Sequence, residues 1–383
     1  MSISPKRTAA KVIFLSRLEN VTKNIFQFLI ATACLLIPLD TLSAQWVQTN
    51  GASETVVTCF AVAGTNLYAG TTSGVFLSTN NGATWSAVNT GLKNTVISAL
   101  ASSGTNIFAG TTGGVFLSTD NGLSWSAVDS GLTNTSIRAL AVSGENLFAG
   151  TPGGVFSSAT NGSSWSVTKE TNSVNALAVS GTLIIAALNG SIASTSDCGA
   201  IWGPMDTGMS QHVGVFTVSG NDLFAGTPAG VYRTKIDAAN WTSVGTGLSN
   251  TSVAAVAVSG TNLFAGTYTG VYVYTGNNTS WTSANTQLPK IAVTSLIVYG
   301  KNLFAGTNGG GIWKRALSEM ATSVEGQTAA RPTAFGLYQN FPNPFNPTTT
   351  ITFSLRSRSF VSVKVFDVMG SEVATVVDDE LPA

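Results

Sequence analysis

Between residues 45 and 318, the cationic side chains are Lys93, Arg138, Lys169, Arg233, Lys235, Lys290, Lys301, Lys314 and Arg315. The acids are Glu54, Asp120, Asp129, Glu145, Glu170, Asp197, Asp206, Asp222 and Asp237, and His212 is the only histidine. A glycoside-cleaving site needs two carboxylates facing one cleft, about 5–10 Å apart. Glu54, Glu145, Glu170, Asp206 and Asp222 are instead scattered singly, and each reads as a solvated loop charge. His212 has no nucleophile with an orienting partner beside it, so it reads as a surface or packing histidine. The cysteines are Cys34, Cys59 and Cys198, with no CxxC pair, so a His/Cys zinc site has no ligand set. Nine cations balance nine acids, and so neutral a body offers phosphate backbones no footing. We therefore expect no cofactor, no metal and no nucleic-acid partner.

These residues sit on a repeat. Residues 106–125 read NIFAGTTGGVFLSTDNGLSW, and the FAGT core returns at 67–71, 147–151, 223–227, 263–267 and 303–307, and in worn form at 184–187. Trp85, Trp125, Trp165, Trp202, Trp241 and Trp281 follow at intervals of 40, 40, 37, 39 and 40 residues. A period near 40 with strand-like content marks a repeat architecture, and propeller blades fall in this range. Within the unit 135–167, TSIRALAVSG, GENLFAGT, GGVFSS and the Trp165 strand are four short β-prone runs separated by Gly-containing turns. Four antiparallel strands repeated radially make a propeller blade. Ala139, Ala141 and Val142 suit a crowded innermost strand, and Phe108, Phe148, Phe224, Phe264 and Phe304 are the bulky fillers.

The two ends of the repeat set the blade count. The inner strand appears seven times, but the last unit stops at Gly311-Ile312-Trp313-Lys314 without its Trp strand. Trp46-Val47-Gln48-Thr49-Asn50-Gly51 matches Trp85 to Gly91 in pattern. The predicted fold is all-β: a seven-bladed β-propeller over 45–318, with the N-terminal strand closing the last four-stranded blade, followed by a partial β-sandwich. Closure of this kind pairs strand edges that would otherwise be left open.

The run Ser118-Thr119-Asp120-Asn121-Gly122-Leu123-Ser124-Trp125 resembles the Asp-box, or bacterial neuraminidase repeat, of the sialidase-like superfamily. Asp197, Gly199 and Trp202 keep the same positions, while Asn80-Asn81-Gly82 and Thr160-Asn161-Gly162 replace the acid. The resemblance implies that Asp120, Gly122, Trp125, Asp197, Gly199 and Trp202 are structural, in the hairpin between third and fourth strands and away from any active site. Asp or Asn caps turn N–H groups, Gly supplies positive φ, and Trp packs between blades. The alternative of calcium at Asp120 has one carboxylate without neighbours. A sialidase would need three convergent arginines, but Arg138 falls on an innermost strand while Arg233 and Arg315 fall at the far ends of third strands. The expected role is thus a non-catalytic binding or structural module, with a glycoside hydrolase of the Asp-box type as the alternative. Departures from the repeat on the opposite face are Lys169, Glu170, Gln211, His212, Tyr268 and Lys290. They are the candidate contacts for a surface glycan or protein, with repeat drift as the plain reading.

The flanks speak about export. Lys6, Arg7, Lys11, Arg17 and Lys23 precede an apolar run at 25–39 and small residues at Ser43-Ala44. This reads as a signal peptide, 1–44, cleaved after Ala44, and no transmembrane span is expected in the mature chain. Residues 319–337 read as a linker. Residues 338–383 carry NPFNP and VFDVMGSEVATV, and closely resemble the type A C-terminal sorting domain of the type IX secretion system. The resemblance implies that this machinery is a partner and that the product is secreted or held on the cell surface. The family domain continues for further strands, so a truncated sorting domain is expected.

Overall fold

The computed structural model describes residues 9–13, 45–170, 173–205, 209, 211–238, 240–276, 279–320, 336–337, 348–354, 359–366 and 372–381. Residues Leu42–Ser323 form one compact unit, and Met1–Thr41 with Val324–Ala383 form another.

The first unit is a seven-bladed β-propeller of four-stranded antiparallel sheets. Blade 1 is Val57–Ala63, Asn66–Thr71, Gly74–Ser78 and Ser86–Ala87. Blades 2 to 6 repeat this order, with inner strands Ile97–Ser103, Ala139–Ser143, Val174–Ser180, Val215–Ser219 and Val253–Ser259. Blade 7 is Val293–Tyr299, Asn302–Thr307 and Ile312–Ala316, completed by Val47–Gln48 from the other end of the chain. The register of that closure is Val47 opposite Lys314 and Gln48 opposite Trp313.

Each second strand is buried along nearly its whole length because it lies between two neighbouring blades. Phe108, Phe148, Phe264 and Phe304 are almost wholly enclosed, each contributing about 2–3 kcal/mol before entropy is charged. Where five copies have Phe, blade 1 has Tyr68 and blade 4 has Ile185, both fully buried. The inner strands keep Ala, with Ala61, Ala101, Ala141, Ala178 and Ala257 all buried against the next blade.

Five tryptophans fasten blade to blade, while the indole N–H groups of Trp85 and Trp202 are buried without an acceptor. The indole N–H of Trp125 donates to Val88 O at 2.7 Å, Trp165 to Val128 O at 2.8 Å, Trp241 to Met205 O at 2.9 Å and Trp281 to Val244 O at 2.7 Å. Trp46 does the same to Ala284 O at 2.6 Å, so the closing strand uses the fastening of the internal ones. The loops after the outer strands of blades 1, 2, 5 and 7 then pass under the next Trp. Gly131 has φ +90, and a Cβ there would collide with the Trp165 carbonyl, so the position tolerates only glycine.

The propeller runs past residue 318. Leu317–Met320 form a short helix, and Met320 is buried with Trp46, Ala284 and Leu288. Burial of that methionine carries the fold two residues into the stretch expected to be linker.

In the other unit, Ala9–Ile13, Thr348–Ser354 and Gly336–Leu337 form a three-stranded antiparallel sheet, and Ser359–Phe366 pairs with Glu372–Leu381 in a hairpin. The strands after residue 348 are thus divided between two sheets. The strand Ala9–Ile13 lies in the stretch read as the leader. Ala44 and the NPFNP run lie outside the described residues.

Candidate functional site

The ring has two chemically different ends. At one end lie the turns between first and second strands and the hairpins that carry Trp. Asn66 of blade 1 reaches Asn121 of blade 2 at 3.4 Å, and Asn146 of blade 3 reaches Cys198 of blade 4 at 3.5 Å. At the other end lie the turns between second and third strands and the connectors between blades. There Asn94 donates to Thr112 at 2.8 Å, and Thr251 donates to Pro228 O at 3.0 Å.

The hairpin end is closed by its own hydrogen bonds. Asp120 Oδ1 accepts from the Ser118 hydroxyl at 2.7 Å and the Ser124 amide at 2.9 Å, and Oδ2 accepts from the Ser124 hydroxyl at 2.5 Å. Ser118 Oγ in turn accepts the Gly122 amide at 2.7 Å. Those bonds hold the Asp120 carboxyl at about 2, the Ser124 hydroxyl contributing most. Asp197 repeats the arrangement with Thr195 and Ile201, and its carboxyl is likewise lowered, first by the Ile201 amide. Asn80 reproduces it with Ser78 and Thr84. These oxygens are spent on the turn. Among the described residues, no three His, Cys, Asp or Glu side chains come together as a metal site. Asn81, Asn121, Asn161 and Cys198 all take positive φ, so the left-handed turn occupies two consecutive positions rather than the glycine alone.

Asp222 corrects its sequence reading as a solvated charge. It accepts from Arg233 Nε at 2.7 Å and lies 3.0 Å from Lys235 Nζ, and its carboxyl is lowered, chiefly by the Arg233 hydrogen bond. Arg233 also lies 5.9 Å from the Phe224 ring centroid. Arg315 is 3% exposed and donates to Ala284 O at 2.9 Å and Glu319 O at 3.3 Å, so burial lowers its pKa. In strand register Arg315 stands where blades 1 to 3 have Ser78, Ser118 and Ser158. Blade 7 has no hairpin there, and the guanidinium fills the gap. Cys59 and Cys198 are both free, and burial pushes the Cys59 thiol up to about 12. Asp206 lies outside the described residues.

The six repeat departures are divided among blade 3, the connector from blade 4 to blade 5, blade 6 and the connector to blade 7. Lys169 lies 5.9 Å from the Trp202 ring centroid, on the extended outer strand of blade 3. A bulge between Val155 and Phe156 shifts that strand, and the Trp202 indole N–H beside it is buried without an acceptor. Glu170 pairs through its backbone with Gly154. Gln211 is half-buried and His212 exposed in the connector from blade 4 to blade 5. Tyr268 is 63% exposed in a turn of blade 6, and Lys290 is exposed in the connector to blade 7. Among the described side chains, no hydrogen bond or ion pair joins any two of these residues.

Sequence reasoning missed a ring of residues around the channel at the connector end. The inner strands of blades 1, 2, 4, 6 and 7 each carry a bulge next to their first residue, which frees Thr58, Ser98, Asn175, Ala254 and Thr294 from the ladder. Arg138 and Gly214 hold the same place in blades 3 and 5, each amide bonding to the second strand. Thr58 donates to Ile97 O at 2.6 Å, Ser98 to Ile137 O at 2.5 Å and Thr294 to Val57 O at 2.5 Å. Arg138 Nη1 reaches Ser173 Oγ at 2.5 Å and Asn175 Oδ1 at 3.0 Å. The signal was in the repeat: VTC, ISA, IRA, VNA, VGV, VAA and VTS recur at one offset.

No family model matches the chain, and no curated protein matches it. Solved structures do. The extracellular domain of the putative one-component system BT4673 from B. thetaiotaomicron is 17% identical, with a TM-score of 0.60 over 71% of this chain and 40% of that one. YCF48, solved with D1 peptide, is 14% identical with a TM-score of 0.60, over 72% of this chain and 98% of that one. The Niastella koreensis GH74 enzyme is 18% identical with a TM-score of 0.57, over 70% of this chain and 53% of that one. The chain thus spans about half or less of the two longer relatives. At these identities the likeness establishes the fold. Among the described residues, no helix is long and apolar enough to cross a membrane.

Proposed function

We propose that this chain is an exported propeller of the Asp-box type that acts as a non-catalytic binding or structural module. One observation carries the reading. Several polar groups that a glycosidase could draw on are engaged elsewhere: Asp120 and Asp197 in turns, Asp222 with Arg233 and Lys235, and Arg315 between blades. The connector end offers exposed Tyr268, His212 and Lys290 instead. Residues 338–383, with their NPFNP run, would address the type IX secretion machinery, and the product would be secreted or held at the outer surface. The extracellular BT4673 domain among the structural relatives supports that location. The GH74 relative keeps glycoside hydrolysis as the second reading.

A glycan array and a fluorogenic glycosidase panel on the full chain separate the two. The module reading expects ligand retention without turnover. Turnover abolished by substituting one carboxylate would replace it with the hydrolase.

A further inference from the structure

We propose that the channel mouth at the connector end holds a carboxylate-bearing ligand on Arg138, with Ser173 and Asn175 as positioning residues. The inference deepens the binding reading above and rests on it.

The ring of freed residues is uneven. From blade 7 through blades 1 and 2, each hydroxyl has one proton and lies against two carbonyls, one on its own second strand and one on the next blade. That arrangement is saturated and closes the seam. At blade 3 the hydroxyl is replaced by a guanidinium, which has five N–H donors. Nη1 is used on Ser173 and Asn175, the side chain is exposed, and among the described residues no carboxylate pairs with it. The amide of Asn175 turns its oxygen toward Arg138, which leaves Nδ2 buried with no acceptor. Among the described residues, donors therefore exceed acceptors at the junction of blades 3 and 4.

The next two positions leave room. Gly214 and Ala254 bring no polar side chain, and a Cβ at Gly214 would meet nothing nearer than Gly226 O at 3.9 Å. A ligand oxygen on Arg138 then needs only the Asn175 amide to turn toward that space. The charge sets the ligand class. Arg138 is the one cation in the ring, so a planar monoanion matches its fork, whereas a dianionic phosphate would call for a second cation. The other two arginines of the propeller are occupied by Asp222 and by backbone carbonyls, so the site is a single-arginine one.

Titration calorimetry on the full chain tests this with D-glucuronate, N-acetyl-L-alanine and D-glucose as probes. Both carboxylates should bind and glucose should not, and the stronger of the two tells an acidic sugar from a peptide terminus. Arg138→Gln keeps amide donors toward blade 4 but loses the charge, and should weaken carboxylate binding at least roughly tenfold. Asn175→Asp places a carboxylate beside Arg138 and should abolish binding while the melting temperature holds or rises. Equal binding of all three probes, no binding of either carboxylate, or unchanged binding by Arg138→Gln would overturn the proposal. A glycan-array signal that survives Asn175→Asp would overturn this site and leave the binding module standing.

Discussion

Two seams of the ring can be set side by side. Between blades 2 and 3, the chain runs on without a break, and Trp165 is fastened to Val128 O at the end of a hairpin whose oxygens cap themselves. At blade 7 the outer strand comes from residues 47–48, and no hairpin joins it to residues 312–316. Both seams keep the same indole bond and the same edge pairing. The closing seam adds what the missing hairpin would have supplied. Arg315 and Trp46 both donate to Ala284 O, and the helix Leu317–Met320 covers them. A covalent turn has been replaced by buried side chains, so closure depends on packing that an internal seam can partly do without.

Trp46→Ala against Trp165→Ala is the widest expected separation. Trp46 is 1% exposed and Trp165 is 5% exposed, so both lose a large buried ring, about 3–5 kcal/mol. Only the first also unpins a strand that no hairpin joins to its own blade. Urea denaturation should show Trp46→Ala as the less stable variant, with blade 7 losing amide protection first in hydrogen exchange. Equal loss in the two would mean that closure is no weaker than an internal seam. Gly131→Ala comes next. The added Cβ meets the Trp165 carbonyl at positive φ, and a cost of about 3 kcal/mol is expected. Gly144→Ala, at φ +58 with nothing within 4 Å, should cost about 1 kcal/mol. The same denaturation curves decide whether the passage under Trp is rigid.

Most of this architecture was legible because it repeats. The period, the strand content and the likeness of 46–51 to 85–91 sufficed to place the Trp46 segment alongside the strand that bears Trp313. What repeats least was hardest to read. Asp222 looked solitary because its partners Arg233 and Lys235 sit one strand over, 11 and 13 residues away, a distance that means adjacency only once the hairpin register is known. Arg315 was placed on its strand but its burial was not foreseen, since a lone arginine near a domain end carries no mark of what covers it. The six connector-end departures were found as departures, yet departure alone does not bring side chains together. The freed ring residues were visible at one offset, but their polarity acquires meaning only through the bulge.

Two smaller effects sharpen the account of the hairpin end. The Asp120 carboxyl is lowered to about 2 in the fold, against about 3.9 in an unfolded chain. A depressed value means that its stabilisation is present above about pH 4 and is lost as pH falls through about 2. Asp120→Asn should therefore melt below the wild type at pH 6, and the two should converge near pH 2. A gap that persists at pH 2 would show that the ionised carboxylate is not the source. The smallest effect is expected at Cys198. It sits at φ 59, where the equivalent residues are Asn81, Asn121 and Asn161, and Asn tolerates that region better than Cys. Asn146 already points at its sulfur at 3.5 Å, just as Asn66 points at the Asn121 amide. Cys198→Asn restores both the favoured conformation and an amide–amide bond. It should raise stability by about 0.5–1 kcal/mol, read as a small upward shift in melting temperature under reducing conditions. A fall instead would mean that the Cys198 turn is held by the surrounding blades and not by its own local geometry.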